Sequence, residues 1–146
     1  MKIPHILLAL CILVGCAPSP QYSGQLILMN CTETSLSVQS NLSCPNGDYP
    51  ANASIAPGKT IEIASTHNYP ITIDKFFTNH NDAAITVSAT FDGVQVTRTW
   101  KYADRNNGQK QPFDLSGCTF ESGEDIRKHY AYMNYIFMIH EEDLRE

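Results

Sequence analysis

The fold is decided by the stretch Ile85-Thr-Val-Ser-Ala-Thr-Phe-Asp-Gly-Val-Gln-Val-Thr-Arg-Thr-Trp100. Two strand-like runs flank Asp92-Gly93, and a two-residue Asp-Gly loop favours a type I′ hairpin turn. Such a turn fixes the register, and residues opposite each other across the two strands share a face of the sheet. The predicted pairs are Phe91 with Val94, Ala89 with Val96, Val87 with Arg98 and Ile85 with Trp100.

This predicted hairpin has one apolar and one polar face. The polar face carries mainly Thr and Ser side chains and is expected to meet solvent. The opposite face is apolar except for Arg98. Because an apolar sheet face must be covered by another layer, the hairpin predicts a second sheet packed on the first. The apolar face consists of Ile85, Val87, Ala89, Phe91, Val94, Val96 and Trp100.

The chain from residue 25 onward consists of short strand-like runs separated by turn signals. Leu26–Asn30, Ser35–Ser40 and Thr60–Ala64 are predicted strands, and Ile71 with Ile73 repeats the alternation. Pro57-Gly58 suits a type II turn. The fold class is therefore predicted to be all-β, an antiparallel β-sandwich of about seven to nine short strands.

Two stretches lie outside this pattern. Ser43–Ser54 is rich in Pro, Asn and Gly and is predicted to be a surface loop. Residues 122–140 allow two interpretations, because Ser122–Asp125 matches a helical capping box whereas Tyr130–Ile139 is almost continuously apolar, as in a buried strand. We favour a short helical turn near Glu124–Lys128 followed by a strand, and we expect the acidic tail from Glu141 to be solvated.

The N-terminal residues indicate export. Lys2 precedes an apolar run, Ile6–Val14, which has the length of a signal-peptide core and is too short to span a bilayer as a helix. Leu13-Val14-Gly15-Cys16 resembles the lipobox of bacterial lipoproteins. The resemblance implies cleavage before Cys16 and acylation of that residue. An ordinary secretory signal cut near Ala17 is the alternative.

This resemblance sets the predicted domain organisation. Residues 1–15 form the signal peptide, residues 16–24 the lipidated cysteine with a flexible tether, and residues 25–146 a single sandwich domain. Ala17 and Pro18 follow the cysteine with no aspartate after it, which in lipoproteins of enteric type favours transport to the outer membrane. The predicted location is therefore the bacterial outer membrane, reached through the covalent lipid.

The cysteine count suggests at most one disulfide. Cys11 leaves with the signal and Cys16 is lipidated, so Cys31, Cys44 and Cys118 remain in an oxidising compartment. Cys31–Cys44 is the first choice because it would close a short polar connection. Cys31–Cys118 is the competing pair. The sequence has no Cys-x-x-Cys spacing, so we predict no metal site.

Charge and motifs exclude several functions. The formal charge is −5, and losing Lys2 makes it −6, which argues against nucleic acid as a partner. None of the histidines belongs to a known metal or protease motif, no nucleophile elbow is present, and no glycine-rich phosphate loop occurs. We therefore predict no catalytic residues, no cofactor and no enzyme activity.

Arg98, Trp100 and Tyr102 are the candidate ligand- or partner-binding residues. Arg98 is the charged residue on the otherwise apolar face of the hairpin. A guanidinium at such a position needs a carboxylate or an aromatic face, such as that of Trp100, as its partner. The alternative is a purely structural role, as a paired arginine at the sheet edge or at a bulge that turns the side chain outward.

Residues 25–113 also resemble the aegerolysins, which are small acidic β-sandwiches that bind membrane lipids. The resemblance rests on Asn30-Cys-Thr32 after the first strand, Ile55-Ala-Pro-Gly58, Thr99-Trp100 and Asn106-Asn-Gly108. It departs from that family at Thr78–Ala84. It implies a sandwich fold and lipid recognition.

Three functional hypotheses follow. The first is a non-enzymatic binding or scaffold module that docks onto a protein assembly of the cell envelope. The second is a module that recognises a lipid or glycan through loops near Trp100 and Tyr102. The third, an envelope hydrolase, is disfavoured by the missing catalytic motifs.

Overall fold

Residues 19–146 are described by the computed structural model, and they form two facing β-sheets. This confirms the predicted all-β sandwich. Single 3₁₀ turns occur at Ile73–Lys75, Tyr102–Asp104, Leu115–Gly117 and Ile126–Lys128, and one short helix, α1, spans Glu141–Arg145. The eight strands of this part of the chain are β1 (Gln21–Asn30), β2 (Leu36–Ser40), β3 (Asn52–Ile55), β4 (Thr60–Thr66), β5 (Ala84–Phe91), β6 (Val94–Lys101), β7 (Thr119–Asp125) and β8 (Tyr130–Ile139).

One sheet has the strand order β4-β1-β8-β7, and the other has the order β3-β2-β5-β6. The apolar core lies between them. The sandwich is not purely antiparallel, because β1 and β8 run parallel from Gln21–Tyr130 to Asn30–Ile139. The prediction of a purely antiparallel sandwich was wrong at this pair, since hydrophobic alternation does not specify strand direction.

The central hairpin forms with the predicted register. β5 and β6 pair Phe91 with Val94 and Ile85 with Trp100. Asp92 and Gly93 both have positive φ, at 51° and 78°, as a type I′ turn requires. The local sequence therefore specified this hairpin without help from the rest of the chain.

Asn30 joins the two sheets where β1 ends. Its side chain is fully buried, and Nδ2 donates to Thr34 O and Ile55 O, both at 2.8 Å. Oδ1 accepts from the backbone N–H and the hydroxyl of Thr32, also at 2.8 Å. Ile55 belongs to β3, so a single amide links β1, the turn after it and the opposite sheet. The backbone carbonyl of Asn30 is also bonded, since the Gly58 N–H donates to Asn30 O.

A loop covers the outer edge of β4. Asn46 and Ser65 exchange hydrogen bonds, and the Tyr49 hydroxyl donates to the Glu62 carboxylate and lies 2.7 Å from the Ser65 hydroxyl. Burial and the neighbouring Glu62 raise the pKa of Tyr49 to about 12. Covering an edge strand in this way blocks pairing with other chains. The predicted loop Ser43–Ser54 ends earlier than expected, because β3 begins at Asn52.

The C-terminal region differs from its prediction in two ways. Residues 119–125 form strand β7, and the capping-box interpretation of Ser122–Asp125 was wrong. The expected turn and strand do follow, at Ile126–Lys128 and in β8. The acidic tail is solvated only in part: Glu142 and Glu146 are exposed, whereas α1 buries Leu144 and the Asp143 carboxylate pairs with Lys110 Nζ at 2.6 Å.

The folded domain also begins earlier in the chain than predicted. β1 begins at Gln21, so residues 21–24 are paired strand residues and not part of a tether. Residues 71 and 73 do not continue a strand, because Ile73–Lys75 is a 3₁₀ turn. Cys16 and the signal segment lie outside the described residues, so the lipobox stays a prediction.

The buried hydrogen bonds of Asn30 predict that two asparagine substitutions lower the free energy of unfolding by unequal amounts. Asn30→Ala leaves the buried Ile55 carbonyl without its partner and should lower the free energy of unfolding by about 2–4 kcal/mol. Asn41 makes comparable bonds at the surface, where water replaces them, so Asn41→Ala should cost under about 1 kcal/mol. Urea unfolding followed by Trp100 fluorescence measures both, and equal losses would contradict the assignment.

Candidate functional site

The three predicted binding residues do not form a surface site. Trp100 is 4% exposed and Tyr102 is 8% exposed, so both belong to the core. Trp100 packs edge-on against Phe137, and the ring of Tyr102 stacks on His80. The two aromatic side chains are therefore not presented to a ligand.

Arg98 lies on the edge strand β6. Its guanidinium donates to Gln109 Oε1 at 3.1 Å. The expected stacking on Trp100 is not among the cation–aromatic contacts of residues 19–146. Guanidinium groups do lie over aromatic rings at other positions, with Arg105 4.0 Å from the centre of Tyr102 and Arg145 5.5 Å from the centre of Phe91.

The predicted disulfide is absent from the part of the chain that the structure describes, because Cys31, Cys44 and Cys118 are all free. They lie in separate surroundings. Cys44 Sγ is 3.6 Å from Ile63 O on β4, and Cys118 Sγ is 3.8 Å from Asp114 O. The short polar connection that suggested Cys31–Cys44 is instead held by hydrogen bonds of the loop to β4.

Cys31 lies near a cluster of titratable groups formed by Lys110, His140 and Asp143. Asp143 Oδ2 accepts from Lys110 Nζ and from the backbone N–H of His140, and the His140 ring is 3.5 Å away. Lys110 also donates to Met138 O. These bonds hold α1 against the end of β8, which is a structural role.

The thiol beside this cluster is not activated. Burial raises the pKa of Cys31, and the positive charge of Lys110 offsets this only in part. A nucleophilic cysteine needs the opposite shift, toward the thiolate. The geometry therefore provides an anchor for the C-terminal helix and gives no support to cysteine chemistry.

A groove lined by tyrosines opens at the end of the sandwich where β1 begins. Its volume is about 700 Å³. The rings of Tyr22 and Tyr69 stack with centres 4.3 Å apart, and Tyr69 is 62% exposed. His67 Nδ1 lies 3.4 Å from Tyr22 O, on the same wall. The lining residues are Pro20, Gln21, Tyr22, His67, Tyr69 and Tyr130.

The second distinctive surface is on the outer face of the β4-β1-β8-β7 sheet. Leu26 and Leu28 of β1 point into the core, so Ile27 and Met29 point outward. The parallel register places them directly beside two outward residues of β8. These four side chains are half-buried, and none of them belongs to the core cluster. We call them the outer strip, which consists of Ile27, Met29, Ile136 and Met138.

The opposite sheet has the polar outer face expected of a sandwich. Thr86 bonds Thr99, and Ser88 bonds Thr97, in a ladder of hydroxyls across β5 and β6. The two outer faces thus differ in kind, and only the outer strip is apolar.

Neither the tyrosine groove nor the outer strip was predicted from the sequence, for different reasons. Tyr22 had been placed in the tether, and the three tyrosines of the groove are far apart in sequence. The outer strip had a signal, because Leu26–Met29 is apolar at every position, and such a run is typical of a strand covered on both faces.

No known family model and no curated protein matches this sequence. Among residues 19–146 there is no group of three or more side chains suited to hold a metal ion. The same residues include no helix long and apolar enough to cross a bilayer.

The three thiols should react with iodoacetamide in a fixed order. Burial raises the pKa of Cys44 to about 11 and that of Cys118 to about 12, so at pH 8 the thiolate fractions are about one in a thousand and one in ten thousand. Cys31 should be alkylated first and Cys118 last, as measured by mass spectrometry of timed samples. In denaturant the three should react alike. Equal rates in the folded protein, or a mass lower by two hydrogens, would contradict the free-thiol assignment.

Proposed function

We propose that the protein is an outer-membrane lipoprotein, anchored through acylated Cys16, whose sandwich is a non-enzymatic module that docks onto another protein of the bacterial envelope. The outer strip is the observation that carries this proposal. The lipobox supports the anchor, and the raised pKa of Cys31 gives no support to the alternative of cysteine chemistry.

The outer strip has the composition of a protein-binding surface. Residues 26–29 of β1 and 135–139 of β8 are apolar on both faces, which is the pattern of strands with a layer packed on each side. The described chain supplies a layer on the inner side only. Methionine side chains adapt to varied apolar partners, and two of the four residues are methionine. A partner protein would supply the second layer.

Polar groups border the strip on the same face. Asn134 lies on this outward face of β8, next to Gln25 and Glu121. A partner surface would therefore meet an apolar centre with a polar border, which is the usual arrangement of a protein interface.

The carboxylates around the strip add a charge requirement. Glu62 lies opposite Ile27 on β4, and Glu121 lies opposite Asn134 on β7. Basic groups at the edge of the partner surface would complement them, because electrostatic complementarity selects partners and speeds encounter. The proposed partner is therefore an envelope protein with an apolar patch bordered by Lys or Arg.

The short link to the proposed anchor limits where this partner can be. Cys16 precedes Gln21, the first residue of β1, by five residues. Five residues reach at most about 18 Å. The partner must therefore be present at the membrane surface.

Photo-crosslinking in cells tests the docking surface. A photoreactive amino acid at Ile136 should form an adduct with one envelope protein, whereas the same amino acid at Thr97, on the polar outer face, should not. Ile27→Glu should abolish the adduct made from position 136 because it places a carboxylate in the apolar contact. Cys16→Ser should release the protein from membranes and reduce the adduct.

Two results would overturn the proposal. One is a membrane-bound protein that gives no adduct from position 136. The other is equal adduct formation from positions 136 and 97, which would indicate random encounter.

The tyrosine groove favours a second candidate function, recognition of a lipid headgroup or glycan. Its stacked Tyr22 and Tyr69 rings provide flat apolar faces, and His67 and Gln21 provide polar groups at the rim. Ligand sites commonly combine mostly apolar walls with a few polar groups. The groove takes the place of the region near Trp100 and Tyr102 as the proposed ligand site, because those two side chains are buried.

Tyr69→Ala should weaken ligand binding at the groove about tenfold, since loss of one aromatic contact costs about 1–1.5 kcal/mol. Phe120→Ala is the matched control, because Phe120 is an exposed ring elsewhere on the surface. Titrations with N-acetylglucosamine oligomers and with phospholipid vesicles, followed by tyrosine NMR signals, separate glycan from headgroup. No shift with either probe would remove this candidate.

A further inference from the structure

We infer that the turn Ile126–Lys128 inserts Ile126 into the interfacial layer of the bilayer that holds the protein, so that the tyrosine end of the sandwich faces the membrane. This inference rests on the proposed anchor at Cys16. It adds a second, non-covalent membrane contact that fixes the orientation of the domain. The occupant of this surface is a phospholipid bilayer.

The chain enters the sandwich immediately beside this turn. The Gln21 N–H donates to His129 O at 2.7 Å, and Gln21 is paired with Tyr130 in the parallel ladder. The residue proposed to carry the lipid precedes Gln21 by five positions, a reach of at most about 18 Å. An acyl anchor at Cys16 therefore brings the turn close to the bilayer surface.

Ile126 is exposed at the tip of the β7–β8 connection. It is 76% exposed, more than any other large apolar side chain in the described residues. Turn positions usually carry polar residues or glycine, so an exposed isoleucine is unusual at this position. Arg127 and Lys128 follow it, and their long side chains can reach the headgroups while their stems stay apolar.

The charge at this tip does not oppose contact with phospholipid. The turn carries Arg127 and Lys128, and it is preceded by Glu124 and Asp125. Lys128 Nζ pairs with Asp125 at 3.5 Å, and the Asp125 carboxylate also accepts the backbone N–H groups of residues 127 and 128. The tip is therefore close to neutral although the whole chain is acidic.

Tyrosines surround the tip on the same end of the domain. Tyr69 is largely exposed, and Tyr22 and Tyr130 line the groove behind it. Tyrosine is enriched at membrane–water interfaces because it combines an apolar ring with a hydroxyl that stays hydrated. The end that the anchor holds near the bilayer thus has the composition of an interfacial surface.

One inserted isoleucine does not bind a membrane on its own. It becomes effective when the anchor makes insertion intramolecular, because tethering raises the local concentration to the millimolar range. We therefore expect contact in the anchored protein and none in protein released from the anchor.

Lysine labelling of the full-length protein in native membrane vesicles tests the contact. Lys128, at the tip, should react with an amine reagent at least threefold more slowly in vesicles than after release by Cys16→Ser. Lys59 is the internal control, since its carbonyl accepts from Asn30 at the opposite end of β1 and its rate should not change. Ile126→Ser should restore the Lys128 rate, whereas Val94→Ser, at an exposed valine in the distant hairpin turn, should not.

Each outcome is decisive. Protein that floats with vesicles but shows equal Lys128 rates with and without the anchor overturns the insertion and leaves the anchor intact. Full-length protein that fails to float overturns the anchor and the insertion together. Slowing that persists in Ile126→Ser would assign the protection to a bound protein and would also overturn the insertion.

Discussion

The buried amide of Asn30 is the interaction on which the rest of the sandwich depends. Two four-stranded sheets share no backbone hydrogen bonds, so apolar packing alone would leave their relative position loosely specified. Asn30 Nδ2 fixes it by reaching Ile55 O on the opposite sheet, while Oδ1 shapes the turn that carries the chain across. Because a buried amide tolerates few arrangements, this link selects one alignment of the core.

The sequence predicted the parts of the fold that are local. The Asp92-Gly93 hairpin depends on two turn residues and sixteen neighbouring positions, and every predicted pair forms. The direction of β8 beside β1 joins residues more than a hundred positions apart, and no local pattern specifies it. Strand β7 is mostly polar because it lies at a sheet edge, so its residues matched a helix cap equally well. The acidic tail is anchored to the domain by the buried Leu144 and by one ion pair of Asp143, which a count of charges could not reveal.

The candidate surfaces were harder to predict than the fold. Alternation placed Trp100 on an apolar face correctly, but it could not say that Phe137 of the other sheet covers it. The groove needs Tyr22, Tyr69 and Tyr130 together, and only the completed β4-β1-β8 arrangement brings them to one end. The outer strip was readable in principle, since apolar residues at consecutive positions 26–29 predict burial on both sides of a strand. The three cysteines show the reverse case, in which a count suggested a bond that the geometry does not make.

The parallel pairing of β1 with β8 has a mechanical consequence. A pull on the chain before Gln21 runs along the axis of β1, which is hydrogen-bonded to β8 on one side and to β4 on the other. The load is therefore shared by both ladders at once, as shear, and the bonds do not open one after another from an end. A domain pulled at this point passes the tension into the whole β4-β1-β8 part of the sheet while its strands remain paired.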